Sequence, residues 1–395
     1  MNVLSIIHYP IFGGPHNCNS MVAPYLADMG ISLTVVVPDE PGNAVELLQG
    51  RNVSTMPIPL TRMRATKDIR VHARNIACLP GNVRSIRRII RSESIDVVLI
   101  NGLVNPHAAF AARLENVPVV WQLIDTFPPM MLRRAMMPLV LRLSGAIMST
   151  GMAVAAVHPG ALSFGDRLIS FFPIVDSNRF RPDPKQRATA RRELGLHDSD
   201  FVVGNVGNIN PMKGHRTFIK AAAALKRRHA STRFVILGAS SVAHADYRAE
   251  LSSEAESLGL SVGDDLIVHD PGTRVHELAP ALDLFWLTSE PRSEGIPTVI
   301  GEAMALEMPV VAANVGAVSA AVADGLTGIL VAPRDVEAFV AVTSELLDDP
   351  DRRRDMGNNA RQSAQQLFSP EACADLHRTA FEVALASQSQ AEMET

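Results

Sequence analysis

The sequence predicts an α/β protein made of two Rossmann-like domains, each a doubly wound parallel sheet with helices on its faces. Three observations carry this. Short all-apolar runs alternate with helical patterns from the first residues onward, the signature of strands buried on both faces. The alternation restarts after a Pro-, Asp- and charge-rich segment at residues 173–186. The length of 395 residues holds two full cores, and a hydrophobic content of 47% with only 5% aromatics suits such a protein.

The first run, NVLSII at 2–7, breaks into the loop HYPIFGGPHNCNS, recovers as a helical pattern to about residue 29, and gives way to a strand at 32–37. Strand, glycine loop, helix and strand make a βαβ opening. Gly13 and Gly14 let backbone amides approach a diphosphate, or simply make a turn. His16 beside them reads either as a ligand contact or as a structural loop residue. Further strands follow at 53–58, 96–101 and 117–125. Ligands in such sheets gather at the carboxyl ends of strands, which directs Asn101 and Asp125 toward a site. The competing role for Asp125 is capping the turn TFPP that follows it. Residues 130–148 read as an apolar helical segment set with Arg133, Arg134 and Arg142 and interrupted by Pro138. Core packing with snorkelling arginines is preferred there over docking on a membrane. Strands are expected next at 153–157 and 168–172.

A helix at 186–194 leads into the second domain, whose first strand ends at Gly207. Lys213 and Gly214 then stand just before an alanine-rich helix, a cation and a glycine where a phosphate would sit. The Asp-x-Asp at 198–200 invites a divalent metal, but it lies in a polar turn at the end of the strand opposite the phosphate loops, and the turn reading is preferred. Strands at 234–237, 266–268, 282–287, 310–313 and 328–331 complete a second parallel sheet. Residues 371–386 read as a helix at the domain interface, and 387–395 as a frayed tail.

The most informative stretch is LTSEPRSEGIPTVIGEAMALEM at 287–308. An apolar strand ends there and a helix begins, with Glu294 and Glu302 eight positions apart around the junction. Pro297 suits a first helical turn, Gly295 permits close backbone approach, and with Ile296 and Thr298 they form a helix start whose free amides bind an anion. Thr298, Glu302 and Leu306 share one face. A carboxylate beside a phosphate site does not favour the phosphate itself; accepting hydrogen bonds from hydroxyl groups is its natural role. The combination suggests a sugar nucleotide.

These residues, followed by Glu302-Ala303-Met304-Ala305 and the run PVVAANVGAVSAAVADGLTGILV at 309–331, resemble the retaining glycosyltransferases of family four, glycosyl transferases group 1. The string of Pro173, Val175, Asp176, Phe180 and Pro182 is similar to the linker that closes the first domain of that family. The resemblance implies a GT-B fold with domains at 1–175 and 186–370, a linker at 176–185, and a cleft between them. It implies a donor, a UDP-sugar by first expectation, held by Gly13, Gly14, Asn208, Lys213, Glu294, Gly295, Ile296, Pro297, Thr298 and Glu302. Glu294, Lys213 and Asp125 would carry catalysis, with His16 and Asn101 on the acceptor side. No metal and no cofactor is implied, and the acceptor would be a hydroxyl of a small molecule, lipid-linked group or glycan. The chain departs from the family pattern where Ile124 stands for a histidine, Asn208 for an arginine and Ala320 for an acid. These departures keep two alternatives open, a sugar-nucleotide epimerase and a non-catalytic nucleotide-sugar-binding subunit. A NAD-dependent dehydrogenase is weaker still, since no GxGxxG follows the first strand.

Net charge is −4, yet residues 1–183 carry 17 Lys and Arg against 12 Asp and Glu, and the remainder 20 against 29. Much of the excess lies between Arg62 and Arg91, read as a solvated face or as an attraction to an anionic acceptor or acidic membrane surface. Nucleic acid is not an expected partner. Three widely spaced cysteines, Cys18, Cys78 and Cys373, without a CxxC pair or a histidine at ligand spacing, point to a reducing cytosol and away from zinc. The opening strand has no basic n-region and no apolar run reaches spanning length, so a cytoplasmic protein is expected, with peripheral contact at the inner membrane face as a further reading.

Overall fold

A computed structural model of the chain describes residues 1–395 except 62–68, 125, 127, 241–243, 292–293 and 394–395, with backbone alone at 69–76 and 391–393. The chain divides into two compact units, Met1–Ile174 with Pro370–Thr395, and Val175–Ser369.

The first unit holds a seven-stranded parallel sheet of β1 (Asn2–Ile6), β2 (Ser32–Pro38), β3 (Ser54–Ile58), β4 (Val97–Asn101), β5 (Val119–Leu123), β6 (Ala146–Ser149) and β7 (Leu168–Ser170), in the order β3-β2-β1-β4-β5-β6-β7. Both faces are covered. One packs Leu4, Ile6, Val98 and Trp121 under the helices Ile69–Ser92, Pro106–Leu114 and Met130–Leu143. The other packs Val3, Val35, Leu99 and Val120 against the helix Gly14–Asp28 and the C-terminal helix Pro370–Met393. That last helix continues to Met393, into the residues expected to fray, and its Phe381 and Ala384 are fully buried in the first unit's core.

Two further sequence expectations fail in this unit. The segment 130–148 is a helix only to Leu143; its end, Ala146–Ser149, is β6. The strand expected at 153–157 is the helix Met152–Ala156. β6 takes the place between β5 and β7 and pairs with both, so the alanine-rich peptide after it finds neither side of β6 open. Within the helix Met130–Leu143, Arg133 is buried and donates to the carbonyls of Pro128 and Val157, so it stitches loops rather than reaching a membrane.

The second unit repeats the design with six parallel strands, β8 (Phe201–Val206), β9 (Thr232–Leu237), β10 (Leu266–His269), β11 (Leu284–Leu287), β12 (Val310–Ala313) and β13 (Gly328–Val331), ordered β10-β9-β8-β11-β12-β13. Trp286 of β11 centres the core, edge-on to Phe218 and Phe339, with its indole N–H donating to Thr343 Oγ1 at 2.9 Å. The fold class expected from the apolar alternation is therefore the one observed. At the amino end of the sheet, Asp200 accepts the His197 amide and Arg191 donates to the carbonyls of Asp198 and Asp200. The Asp-x-Asp is thus a folded turn, at the end of β8 opposite Lys213.

Candidate functional site

In both sheets the strand order reverses beside the first strand, between β1 and β4 and between β8 and β11. Chain leaving these neighbouring strands diverges to opposite sides, opening a crevice at their carboxyl ends where α/β proteins bind ligands. In the second unit that crevice is lined by the loops after β8 and β11. The first loop passes through a short 3₁₀ turn, Pro211–Lys213, into the helix His215–Arg228. The two loops are stitched together: Thr288 Oγ1 donates to Lys213 O at 3.1 Å, and the Glu290 amide donates to Met212 O at 2.9 Å.

Gly214 makes this stitching possible. Its φ is +66°, and a Cβ built there would stand 1.8 Å from the carbonyl oxygen of Thr288. Gly214→Ala is expected to lower stability by about 2 kcal/mol or more, through strain and a backbone clash, and to displace Lys213. Urea unfolding measures this; an unchanged midpoint would show that the loop yields freely.

The result is a buried polar cluster. Lys213 Nζ lies 2.7 Å from Glu294 Oε1, and Ser289 Oγ donates to the same oxygen at 2.7 Å. Glu294 is only 7% exposed, so its charge is neutralised within the protein rather than by solvent. The backbone at 294–295 rests on the turn at Gly316, where a Cβ would come 2.1 Å from Glu294 O, and Gly295 O accepts from the Ala317 amide. This turn holds the segment although the acid of the resembled family is absent at Ala320. Ile296 and Pro297 are buried, and the helix Thr298–Ala305 starts immediately after.

Glu302 lies on that helix, partly covered. Burial pushes its carboxyl up to about 7, while the Arg179 guanidinium pulls it down. Arg179 in turn donates to the ring of His276. Because the folded state raises the Glu302 pKa above its unfolded value, the folded protein holds this proton more tightly. That contribution to stability is complete below about pH 4.5 and is lost as pH rises through about 7. The melting temperature of the wild type is expected to fall relative to Glu302→Gln between about pH 5 and pH 8. Parallel curves for the two proteins would refute the raised pKa.

Other expectations fare differently. Asn208 is exposed, and its carbonyl accepts from the Asn210 amide. Two arginines stand near enough in sequence to substitute for the missing family arginine: Arg292 lies outside the described residues, and Arg216 is paired with Glu250 and Glu254 at 2.6 and 2.7 Å. Ser289, Arg179 and His276 carry no sequence signal that singles them out, since each meets the site through loop packing.

In the first unit, Gly13 and Gly14 open the helix Gly14–Asp28, and a Cβ at either would meet nothing within 4 Å. His16 is fully buried with both nitrogens in use: Nδ1 accepts from the Gly13 amide at 3.2 Å and Nε2 donates to Tyr9 O at 2.9 Å. These two bonds hold the glycine loop. Asn101 is likewise engaged within the unit. Buried at the end of β4, its amide donates to Ser5 Oγ and Ile6 O and its Oδ1 accepts from Asn19. Asp125 lies outside the described residues. Within the basic stretch, Arg87 and Arg91 share Glu115, with Arg91 at 2.6 Å, so part of that positive charge is locally neutralised. One premise of the cysteine reading is corrected, because a histidine does stand at ligand spacing from Cys373. Cys373 and His377, four apart on one helix, gather with Cys18 so that their ligand-type atoms lie within 4.8 Å of one another. The signal in the sequence is the i, i+4 pair of Cys373 and His377, which one helix face brings together.

Two parallel Rossmann-like sheets define a GT-B fold. Residues 186–363 match the family model described as glycosyl transferases group 1. Over the full chain, the fold is similar to Anabaena Alr3699/HepE solved in complex with UDP, with a TM-score of 0.79 at 21% identity, covering 96% of this chain and 98% of that one. A D-inositol 3-phosphate glycosyltransferase of Nocardia farcinica is 36% identical over 197 residues, 49% of this chain and 43% of the relative. A GDP-mannose-dependent alpha-(1-6)-phosphatidylinositol monomannoside mannosyltransferase of Mycolicibacterium smegmatis is 35% identical over 194 residues, 47% of this chain and 48% of the relative. The chain thus spans about half the length of the curated relatives it matches. No helix among the described residues is long and apolar enough to cross a membrane.

Proposed function

We propose that the protein is a retaining glycosyltransferase that moves a hexosyl or N-acetylhexosaminyl group from a nucleoside-diphosphate sugar, a UDP-sugar first, to a hydroxyl acceptor without a metal ion or cofactor. The observation that carries this reading is Lys213 held on Glu294 at the crevice between β8 and β11, beside a helix start. Lys213 and the amides of Gly295, Ile296 and Thr298 bind the diphosphate, Glu302 accepts from ribose hydroxyls, and Glu294 from those of the sugar. As the anomeric bond breaks, negative charge grows on the diphosphate, and donors already aimed at it stabilise the transition state. The departing phosphate takes the acceptor proton on the same face, which retains the anomeric configuration. The relatives named for inositol phosphate and phosphatidylinositol mannoside acceptors support a phosphorylated or lipid-linked polyol as the first acceptor class to try. The excess of basic residues in the first 183 supports an anionic acceptor and peripheral contact with the inner membrane face.

A thermal-shift screen of nucleoside diphosphates, followed by donor turnover with and without EDTA, tests the reading. Release of nucleoside diphosphate that depends on an acceptor and survives EDTA is expected. Inversion at C2 of donor alone would instead mark an epimerase, and binding without release under any acceptor a non-catalytic subunit.

A further inference from the structure

In the first unit, Cys18 on the helix Gly14–Asp28 meets Cys373 and His377 on the helix Pro370–Met393. His377 is buried between the rings of Phe171 and Phe381, both edge-on. Its Nδ1 donates to Cys373 O at 2.8 Å, and its Nε2 accepts from the Gln122 amide at 2.9 Å. A metal would need one of these lone pairs, and neither is available. The two sulfurs remain, side by side: Cys373 is 2% exposed and Cys18 partly exposed.

We propose that Cys18 and Cys373 form a reversible disulfide when the protein meets hydrogen peroxide. The Cys18 thiolate attacks peroxide, the O–O bond breaks, and Cys18 sulfenic acid forms with release of hydroxide. The Cys373 thiol then attacks the Cys18 sulfur; the S–S bond forms and the sulfenic oxygen leaves as water with the Cys373 proton. Two thiols lose two electrons and two protons, and one peroxide becomes two waters. Access sets the order of events. The neighbouring Cys18 and burial push the Cys373 thiol up, so the more accessible Cys18 is the sulfur that peroxide meets first, and Cys373 gives up its proton only as it attacks the sulfenic acid. Cys18 lies one helical turn beyond Gly14, so the bond pins the start of the glycine-loop helix to the chain's C-terminal helix.

The test treats the full chain with a small excess of hydrogen peroxide, alkylates remaining thiols and maps peptides without reduction. A Cys18–Cys373 cross-linked peptide is expected, reversed by dithiothreitol, with Cys78 still alkylated. The oxidised protein should melt about 5 °C or more above the reduced form, because the bond closes a very long loop. Cys373→Ser should trap Cys18 as a sulfenic acid that dimedone labels; should that variant not fold, the wild-type peptide map decides alone. Over-oxidation of Cys18 without a cross-link, a bond to Cys78, or no reaction would overturn the proposal. So would a stoichiometric zinc ion whose removal by chelator frees both thiols.

Discussion

Lys213→Ala is expected to lower kcat by about a hundredfold or more while the protein stays folded. The reason is electrostatic. A lysine about 4 Å from a phosphate contributes on the order of 4 kcal/mol at an effective dielectric of 20 before desolvation, and loss of one donor aimed at developing charge costs about 10² to 10³ in rate. An exposed asparagine stands at position 208 and Arg216 is committed to Glu250 and Glu254, so neither of these two residues replaces that cation. The same substitution leaves Glu294, 7% exposed, with its charge unpaired, so some stability is lost as well. The double variant Lys213→Ala, Glu294→Gln separates the two effects. Its melting temperature should recover toward wild type while its kcat stays low. Turnover of Lys213→Ala within about tenfold of wild type would remove this lysine from the chemistry.

Glu302→Ala is expected to reduce kcat/KM for the donor by about a hundredfold, mostly through KM. A carboxylate that accepts from two hydroxyls remote from the reacting bond contributes alike in the ground and transition states, which moves KM more than kcat. Hydrogen bonds to a charged group are worth about 1.5–3 kcal/mol, which sets the size of the effect. Since burial holds the carboxyl near 7, donor affinity should also rise with pH across that value and flatten in Glu302→Gln. Equal KM values for wild type and Glu302→Ala would place the ribose elsewhere.

Much of this architecture was legible because it is local. Strands buried on both faces read as unbroken apolar runs whatever lies beside them, so twelve of the thirteen strands among the described residues coincide with apolar runs read from the sequence, Ala146–Ser149 being the exception. The Glu294 to Glu302 spacing and the glycine before the helix His215–Arg228 were visible for the same reason, since turns and helix starts are set by neighbouring residues. What the sequence by itself determined, then, was two parallel sheets and a helix start flanked by acids. Only the tertiary structure decided which polar groups face one another. It joined Lys213 to Glu294 across 81 positions, spent the nitrogens of His16 and the amide of Asn101 inside the first unit, and brought Cys18 to Cys373. Such pairings depend on strand order and on how closely loops can pack, and no local pattern encodes either.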